Sequence, residues 1–276
     1  MTNELAPENG AAIYPSLAGK RVIVSGGASG IGEGIVEGFV RQGAHVAFVD
    51  VQDEASEALI ERLANAPTPP IYLNCDITDC ADYGTKIEKL IDRLGGCDIL
   101  INNAANDDRH EVLDVTPEYW DQRMAVNLKH QFFAAKAVVP AMKAAGGGSI
   151  VNLGSISWHL GLENLTLYQT AKAGIEGLTR SLARELGREG IRVNTIIPGN
   201  VQTPRQMQWY SPEGEAEIVA AQCLDGRLQP LGGVELRIVD ENGKRGVDGS
   251  PKAIIQTCEE SLTNLQTDVI DLYYLH

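Results

Sequence analysis

The chain has 276 residues, of which 43% are hydrophobic and 22% charged, and its formal net charge is −14. This length suits one large α/β domain with an appendage and is short for two full domains with linkers. The negative charge and the lack of any run of Lys or Arg argue against nucleic acids and acidic membrane surfaces as partners.

The cysteines and the N-terminal residues bear on metal binding and on cellular location. Five cysteines are scattered along the chain without a CxxC pair or the histidine partners of a zinc site, so we expect reduced thiols and no metal. The N-terminal sequence MTNELAPENG is polar and acidic, unlike a signal peptide. No apolar run approaches the roughly 18 residues of a membrane span. We therefore expect a cytoplasmic protein.

Six short runs rich in β-forming residues alternate with longer amphipathic stretches. This alternation is typical of a Rossmann-type α/β fold, in which a doubly wound parallel sheet carries helices on both faces. The predicted strands cover residues 21–25, 45–50, 71–74, 98–102, 149–154 and 192–197. Prolines interrupt the pattern after Ile197, and we expect an irregular substrate lid around residues 209–224.

The first predicted strand is followed directly by SGGASGIGEG (25–34), in which Gly26, Gly30 and Gly32 precede a predicted helix. Such glycines let the backbone turn tightly and approach a pyrophosphate at the positive end of the helix. Asp50 ends the second strand, where a carboxylate can bind both ribose hydroxyls of NAD and would repel the 2′-phosphate of NADP. NAD is therefore the expected cofactor, although a plain glycine-rich turn and a solvated aspartate would show the same residues.

Tyr168 and Lys172 are four positions apart on a predicted helix, so their side chains share one face. This spacing alone also arises on ordinary solvated helices. It becomes informative because Ser155 lies thirteen residues before Tyr168, just beyond the fifth predicted strand, and because Asn127 lies on the preceding helix.

Residues 1–231 resemble the short-chain dehydrogenase/reductase family in the glycine loop, the NNAA sequence at 102–105, Asn127, Ser155, the Tyr168/Lys172 pair and Pro198-Gly199. Two departures are Ser25, where the family usually has Thr, and Ala105, where it usually has Gly. Neither change removes a catalytic group. The resemblance implies a cofactor site made of Ser25, Gly26, Ser29, Gly30, Ile31, Gly32, Asp50, Asp76, Ile77, Asn103, Ala104, Tyr168, Lys172, Pro198, Gly199, Val201 and Thr203.

Oxidation of an alcohol requires a base for the hydroxyl proton. Tyr168 is the candidate, because Lys172 and the positive nicotinamide ring would favour its phenolate. Ser155 would hold the substrate oxygen as an oxyanion-hole donor does. The resemblance further implies that Lys172 binds the nicotinamide ribose and that Asn127 holds a water that relays the proton.

Within the family, five stretches resemble the sugar-oxidising members: AIYPSLAGKRV, NDDRH, GSISWHLGLE, PGNVQT and WYSPEGEAEIVAAQCL. The resemblance implies NAD-dependent oxidation of an aldopentose, with D-xylose favoured, at the anomeric carbon to its lactone. L-arabinose, D-galactose and other polyols stay open as substrates, as does a catalytically impaired NAD-binding scaffold. The candidate sugar contacts, each of which could instead cap a loop, are Asn106, Ser155, Ser157, His159, Tyr168, Asn200 and Gln202.

The character of the sequence changes near residue 232. Residues 234–276 resemble an internal helix-strand piece of the aldo-keto reductase family, with His276 at the position of that family's catalytic histidine. The other catalytic residues of that family have no counterparts here. We therefore expect a short-chain dehydrogenase domain at 1–231 and a foreign, chimeric segment at 232–276.

The short-chain family normally continues with a helix and a seventh parallel strand, and without them the sixth strand would expose an apolar edge. We expect the foreign helix (250–264) and strand (268–275) to dock in their place. The small face of the helix that carries Tyr168 favours close packing, and the family usually forms tetramers, so a homo-oligomer is expected.

Overall fold

The computed structural model describes residues 13–208, 210–221, 237–239, 245–247 and 272–274. Nine strands are present in this part of the chain: β1 (Arg21–Ser25), β2 (His45–Asp50), β3 (Ile71–Asn74), β4 (Ile99–Asn102), β5 (Gly148–Leu153), β6 (Ile191–Ile197), β7 (Arg237–Val239), β8 (Arg245–Val247) and β9 (Leu272–Tyr274). The main sheet is parallel, with the order β3-β2-β1-β4-β5-β6-β9, whereas β7 and β8 form a separate antiparallel pair.

The helices between the strands form a layer on each face of the sheet. Those in the described residues are α1 (Gly30–Arg41), α2 (Asp53–Arg62), α3 (Cys80–Leu94), α4 (Pro117–Met124), α5 (His130–Ala144), α6 (Ser157–Leu160), α7 (Thr166–Leu186), α8 (Pro204–Met207) and α9 (Pro212–Ala221). None of them is both long enough and apolar enough to cross a membrane.

The composition of β1 explains why helices are needed on both faces. Val22 and Val24 pack in one buried cluster with residues of α1 and α2, whereas Ile23 packs in a second cluster with residues of α3, α5 and α7. Successive side chains of a strand point to opposite faces, so an unbroken apolar strand buries both of them. The predicted Rossmann-type fold is confirmed, and each of the six predicted strands is present within one residue of its expected bounds.

The strand order reverses beside β1, which lies between β2 and β4. The connections after β1 and β4 therefore leave on opposite faces, and a crevice opens at the carboxyl ends of these two strands. The glycine loop (residues 26–30) and the segment after β4 border this crevice.

The segment from α4 to α5 runs as one continuous helical path interrupted by a π-helical turn at Ala125–Lys129. Asn127 lies in this turn and is fully buried. Single π turns inside α-helices occur often at functional sites because the extra residue redirects a side chain.

The expectation of an irregular lid at 209–224 was wrong for residues 212–221, which form α9. Both α8 and α9 begin at a proline. A proline in the first turn removes no helical hydrogen bond, because that amide has no partner within the helix. The prolines therefore start these helices instead of breaking them.

The strand β9 pairs in parallel with Thr195–Ile197 of β6, at the sheet edge where the foreign strand was expected to dock. The expected helix at 250–264, the boundary at 231/232 and His276 lie outside the described residues.

Candidate active site

The glycine loop folds so tightly that side chains would collide inside it. Gly26 has a φ of 67°, and a Cβ there would lie 2.8 Å from the Cα of Ala104. A Cβ on Gly32 would collide with the Gly26 carbonyl oxygen. Side chains are thus excluded where the backbone must approach a ligand, at the N-terminal end of α1.

Ser25 and Asn103 hold this loop against the end of β4. The Ser25 hydroxyl oxygen accepts hydrogen bonds from the backbone amides of Asn103 (3.1 Å) and Ala104 (3.2 Å). The Asn103 side-chain amide donates to the carbonyl oxygens of Ser25 (3.1 Å) and Gly26 (2.8 Å). A hydroxyl at position 25 therefore has a structural purpose, which serine serves in place of threonine.

The first turn of α1 has amides that no side chain caps. Ser29 occupies the N-cap position without making a capping bond, and its hydroxyl instead accepts a bond from Gln52 Nε2 at 3.3 Å. Uncapped amides at a helix start are donors for a phosphate group.

Asp50 is buried at the end of β2 and tied to the glycine loop. One carboxylate oxygen accepts a hydrogen bond from the Ala28 amide at 3.0 Å, and the other accepts from the amides of Val51 (2.8 Å) and Gln52 (3.1 Å). A carboxylate has about four lone-pair sites, so the oxygen facing Ala28 can accept a further bond. The uncapped amides at the start of α1 fit the phosphates of a dinucleotide, and the Asp50 carboxylate fits its ribose.

Asp76 and Ile77, which the resemblance places in the cofactor site, differ in their exposure to solvent. Asp76 is exposed, and its carboxylate accepts bonds from the amide and the hydroxyl of Thr78, at 2.9 and 2.7 Å. The next residue, Ile77, is buried. Asp76 therefore shapes the turn after β3 through its own local bonds.

One pocket brings together the reactive side chains and the nicotinamide side of the predicted site. Its walls come from the glycine loop, the carboxyl ends of β4 and β5, helix α7 and the segment after β6. The residues that line it are Ile31, Asn103, Ala105, Leu153, Gly154, Ser155, Tyr168, Lys172, Pro198, Gly199, Val201, Thr203 and Gln206. Among these, the sequence did not assign a role to Ala105, Leu153, Gly154 and Gln206.

Lys172 and Tyr168 lie in the first turns of α7, with the Lys172 Nζ 5.4 Å from the centre of the Tyr168 ring. The ammonium donates a 2.7 Å hydrogen bond to the Leu153 carbonyl oxygen at the end of β5. Burial lowers the pKa of Lys172 to about 7, and the negative charge of Asp107 opposes this effect. The amino group can therefore exchange a proton near neutral pH.

Burial raises the pKa of the Tyr168 phenol. The charge of Asp107 raises this pKa further, whereas the Ser155 hydroxyl and the Arg205 guanidinium lower it. The Ser155 oxygen also accepts a 3.1 Å bond from the Ser157 amide, and its hydroxyl lies 3.0 Å from that of Ser157. Ser157 thus fixes Ser155 rather than facing the pocket itself.

The Asn127 side chain makes three hydrogen bonds within the protein. Its oxygen accepts a bond from the Asn106 amide at 2.8 Å, and its nitrogen donates to the carbonyl oxygens of Asn106 (2.9 Å) and Arg123 (3.1 Å). It therefore fixes the segment after β4 on the catalytic side of the crevice.

Five of the seven predicted sugar contacts do not line the pocket: Asn106, Ser157, His159, Asn200 and Gln202. His159 stacks on Trp158, and its Nε2 lies 3.5 Å from the Glu176 carboxylate on α7. The Gln202 side-chain amide contacts the Met207 sulfur at 3.4 Å. Asn200 lies between pocket residues of the β6 loop but is not part of the lining.

A charged cluster that the sequence did not reveal surrounds Asn106, whose Oδ1 accepts bonds from the Asp108 amide (2.9 Å) and from Arg123 and Arg205 (both 3.1 Å). The flanking Asp107 accepts a 2.7 Å bond from Arg205 Nε. Arg205 is 98 positions further along the chain than Asp107, and nothing local in the sequence predicts that contact.

Among the described residues, no group of three or more His, Cys, Asp or Glu is arranged to hold a metal ion.

Comparisons with known proteins agree with this geometry. A family model described as enoyl-(acyl carrier protein) reductase matches residues 26–231. The D-xylose 1-dehydrogenase of Caulobacter vibrioides is 58% identical over 219 residues, which cover 79% of this chain and 87% of that protein. A probable galactose dehydrogenase of Rhizobium meliloti is 45% identical over 217 residues, which cover 78% of this chain and 85% of that protein.

Among solved structures, a 7α-hydroxysteroid dehydrogenase complexed with NADH and 7-oxo glycochenodeoxycholic acid has a TM-score of 0.74 at 29% identity, over 78% of this chain and 84% of that one. One assignment follows from the shared sequence over most of the chain, from the shared fold and from the arrangement of Ser155, Tyr168 and Lys172. The chain belongs to the short-chain dehydrogenase/reductase family.

Proposed function

We propose that the protein oxidises an aldopentose, with D-xylose the favoured sugar, at its anomeric carbon to the lactone, with NAD as the oxidant. The observation that carries the proposal is the meeting of Ser155, Tyr168 and Lys172 in one pocket beside the glycine loop. The 58% identity to a D-xylose 1-dehydrogenase supports the choice of sugar.

NAD is proposed over NADP because of Asp50. Its carboxylate stands at the end of β2 beside the glycine loop, where it would accept bonds from ribose hydroxyls and repel a 2′-phosphate. The residues that would hold the cofactor are those of the glycine loop, Asp50, Asp76, Ile77, Asn103 and Ala104, together with Tyr168, Lys172 and the β6 loop residues Pro198, Gly199, Val201 and Thr203.

The bound nicotinamide would supply the hydride acceptor. The Tyr168 phenolate oxygen would take the proton of the anomeric hydroxyl, and the Ser155 hydroxyl would donate a hydrogen bond to the same substrate oxygen. A buried phenol ionises with difficulty, so a neighbouring positive charge is required. Lys172 would supply that charge and pass the proton on, since its pKa of about 7 permits both states near neutral pH.

The role of Asn127 is proposed to be twofold. Its side chain fixes the loop after β4 through three hydrogen bonds to backbone atoms. Both side-chain N–H groups of Asn127 are used in this way, so a relay water would donate to its backbone carbonyl oxygen or to the remaining lone pair of its Oδ1.

D-galactose or L-arabinose is the second candidate substrate, and the 45% identity to a probable galactose dehydrogenase favours the former. The same residues could also bind NAD without turnover if residues 232–276 fail to complete the substrate site.

The test is to follow NADH formation by absorbance with NAD and a panel of D-xylose, L-arabinose, D-glucose and D-galactose. We expect D-xylose to give the highest kcat/KM, and the variant Tyr168→Phe to lose about 10²- to 10⁴-fold in kcat. No turnover by a folded protein that still binds NADH would support the impaired scaffold instead.

We further propose that the protein works in the cytoplasm as a homo-oligomer. The described cysteines Cys75, Cys80 and Cys97 are free thiols. Burial raises the pKa of Cys75 to about 11 and that of Cys97 to about 12, so both are unreactive, packed thiols suited to a reducing compartment.

A further inference from the structure

Charged side chains join two loops at the mouth of the crevice. Asp107 and Asp108 lie in the segment after β4, and Arg205 lies in the first turn of α8 after β6. Arg205 donates through Nε to Asp107 (2.7 Å) and through Nη2 to Asp108 (2.9 Å). Arg123 of α4 holds the other oxygen of Asp108 at 3.0 Å. The pair Asp107–Arg205 therefore bridges the two sides of the entrance.

This bridge lies next to the reacting groups. The charges of Asp107 and Arg205 both act on Tyr168, and that of Asp107 also acts on Lys172. Asp107 lies two residues after Ala105, and Arg205 lies between Thr203 and Gln206. Because Ala105, Thr203 and Gln206 all line the pocket, the Asp107–Arg205 pair stands directly beside its lining, at the entrance.

The bridge retains hydrogen-bonding capacity. In the described part of the chain, Oδ2 of Asp107 and Nη1 of Arg205 make no hydrogen bond. The two side chains are 27% and 48% exposed, so a ligand can reach them. By contrast, Oδ1 of Asn106, the predicted contact in this loop, already accepts three bonds.

We propose that Asp107 and Arg205 form the hydroxyl-binding wall of the substrate site, and that they select polyhydroxylated substrates over apolar alcohols. A carboxylate accepts hydrogen bonds from hydroxyl protons, and a guanidinium donates to hydroxyl oxygens, so the pair complements neighbouring hydroxyls of a sugar ring. An apolar alcohol in the same place would cover both charges without replacing their bonds to water. This assignment rests on the proposed oxidation of a sugar.

The test compares Asp107→Asn with Asp108→Asn, because both variants remove one negative charge from Arg205. For Asp107→Asn we expect KM for D-xylose to rise about 10- to 100-fold while the affinity for NADH stays unchanged. Asp108→Asn should raise KM far less. An equal rise in both variants would overturn the assignment, since loosening of the loop would then explain it.

Monodeoxy analogues of D-xylose give the second readout. In the wild-type protein, at least one analogue should have a lower kcat/KM than D-xylose. The same analogue should lose much less kcat/KM in Asp107→Asn, because the variant has already altered the partner of the removed hydroxyl. If Asp107→Asn instead shifts the pH profile of kcat and leaves KM and the analogue pattern unchanged, Asp107 acts only on the charge of Tyr168, and the assignment is wrong.

Arg205→Met gives an independent variant should Asp107→Asn fail to fold, with the same rise in KM expected. If neither Asp107→Asn nor Arg205→Met alters the kinetics of sugar oxidation, the assignment of these two residues is wrong, and the proposed function still stands. Absence of sugar turnover by the wild-type protein would overturn the proposed function first, so the two failures are distinguishable.

Discussion

The amino group of Lys172 lies buried beside the carboxyl end of β5, and its side chain is 1% exposed. A charged ammonium in such a place loses most of its hydration, and one hydrogen bond to a carbonyl oxygen replaces only part of it. Burial therefore lowers the pKa of Lys172 to about 7, so the charged and neutral forms of its amino group are both populated near neutral pH. This shift can be measured, because it makes the free energy of unfolding depend on pH.

We expect the free energy of unfolding of the wild-type protein to rise with pH relative to that of Lys172→Met, between about pH 7 and 10.5. In this window the unfolded lysine keeps a proton that the folded one has lost, so unfolding takes up a proton. The slope is at most about 1.4 kcal/mol per pH unit. Urea unfolding at several pH values would measure it. A stability difference that does not change with pH would contradict a lowered pKa.

Asp50 allows a prediction about cofactor preference. Asp50→Asn should lower kcat/KM with NAD by roughly tenfold and reduce the preference for NAD over NADP, because an amide binds ribose hydroxyls more weakly and does not repel a phosphate. The measurement is kcat/KM with each cofactor.

Asp53→Asn is the matched control for this experiment. Asp53 lies three residues away at the start of α2, where its carboxylate accepts bonds from Tyr72 and Asn74. An equal change of preference in both variants would show that general charge, and not the position of Asp50, sets the choice.

Among the elements, the π turn between α4 and α5 holds the backbone of the segment after β4 that carries Asp107. Asn127→Ala would remove the side-chain partner of the part-buried N–H and C=O groups of Asn106 and one bond to the Arg123 carbonyl oxygen, and we expect a loss of about 1–3 kcal/mol in the free energy of unfolding. KM for the sugar should also rise, because the Asp107 loop loses its support. Chemical denaturation and steady-state kinetics measure the two effects.

Asn74→Ala serves as the control for the π-turn experiment, since Asn74 is exposed and its amide contacts the Asp53 side chain. Its stability should stay within about 0.5 kcal/mol of the wild type. If Asn127→Ala changes the free energy of unfolding as little as Asn74→Ala does, the loop after β4 does not depend on the π turn.

The sequence predicted the regular elements well where one periodicity dominated. The strands β1 and β2 are continuous apolar runs buried on both faces, and the spacing of Tyr168 and Lys172 on α7 needed only helical geometry. The prediction for α9 failed because Pro212 was interpreted as a breaker when it occupies a first helical turn. The pairing of Asp107 with Arg205 joins two distant loops, and only the folded chain brings these residues together.

At the scale of the whole molecule, β9 pairs with the outer edge of β6 along Thr195–Ile197, three of the seven residues of that strand, and it belongs to the segment for which we expect a foreign origin. We propose that residues 1–231 form the dehydrogenase domain and that residues 232–276 supply the edge strand. An uncovered parallel edge of this kind would present unpaired backbone groups to other chains.

A chain that ends at residue 231 should therefore unfold at a lower temperature than the full chain and associate non-specifically. Thermal unfolding and size-exclusion chromatography compare the two. An equally stable truncated chain with the same oligomeric state would show that β9 contributes nothing to the sheet, and that residues 232–276 are dispensable.

The π turn also determines how this part of the chain tolerates changes in length. Each residue of an α-helix advances the chain by about 100° around the axis. A π turn holds one residue more than the α-helical turn it replaces, so deleting one residue within Ala125–Lys129 would restore an uninterrupted α-helix and leave α4 and α5 in nearly the same relative orientation. Deleting a residue within α4 itself would instead turn Arg123 away from Asp108 by about 100°. The π turn is therefore the place in this helical path where the loss of one residue should disturb the packing of the two helices least, at the cost of the position that Asn127 now occupies.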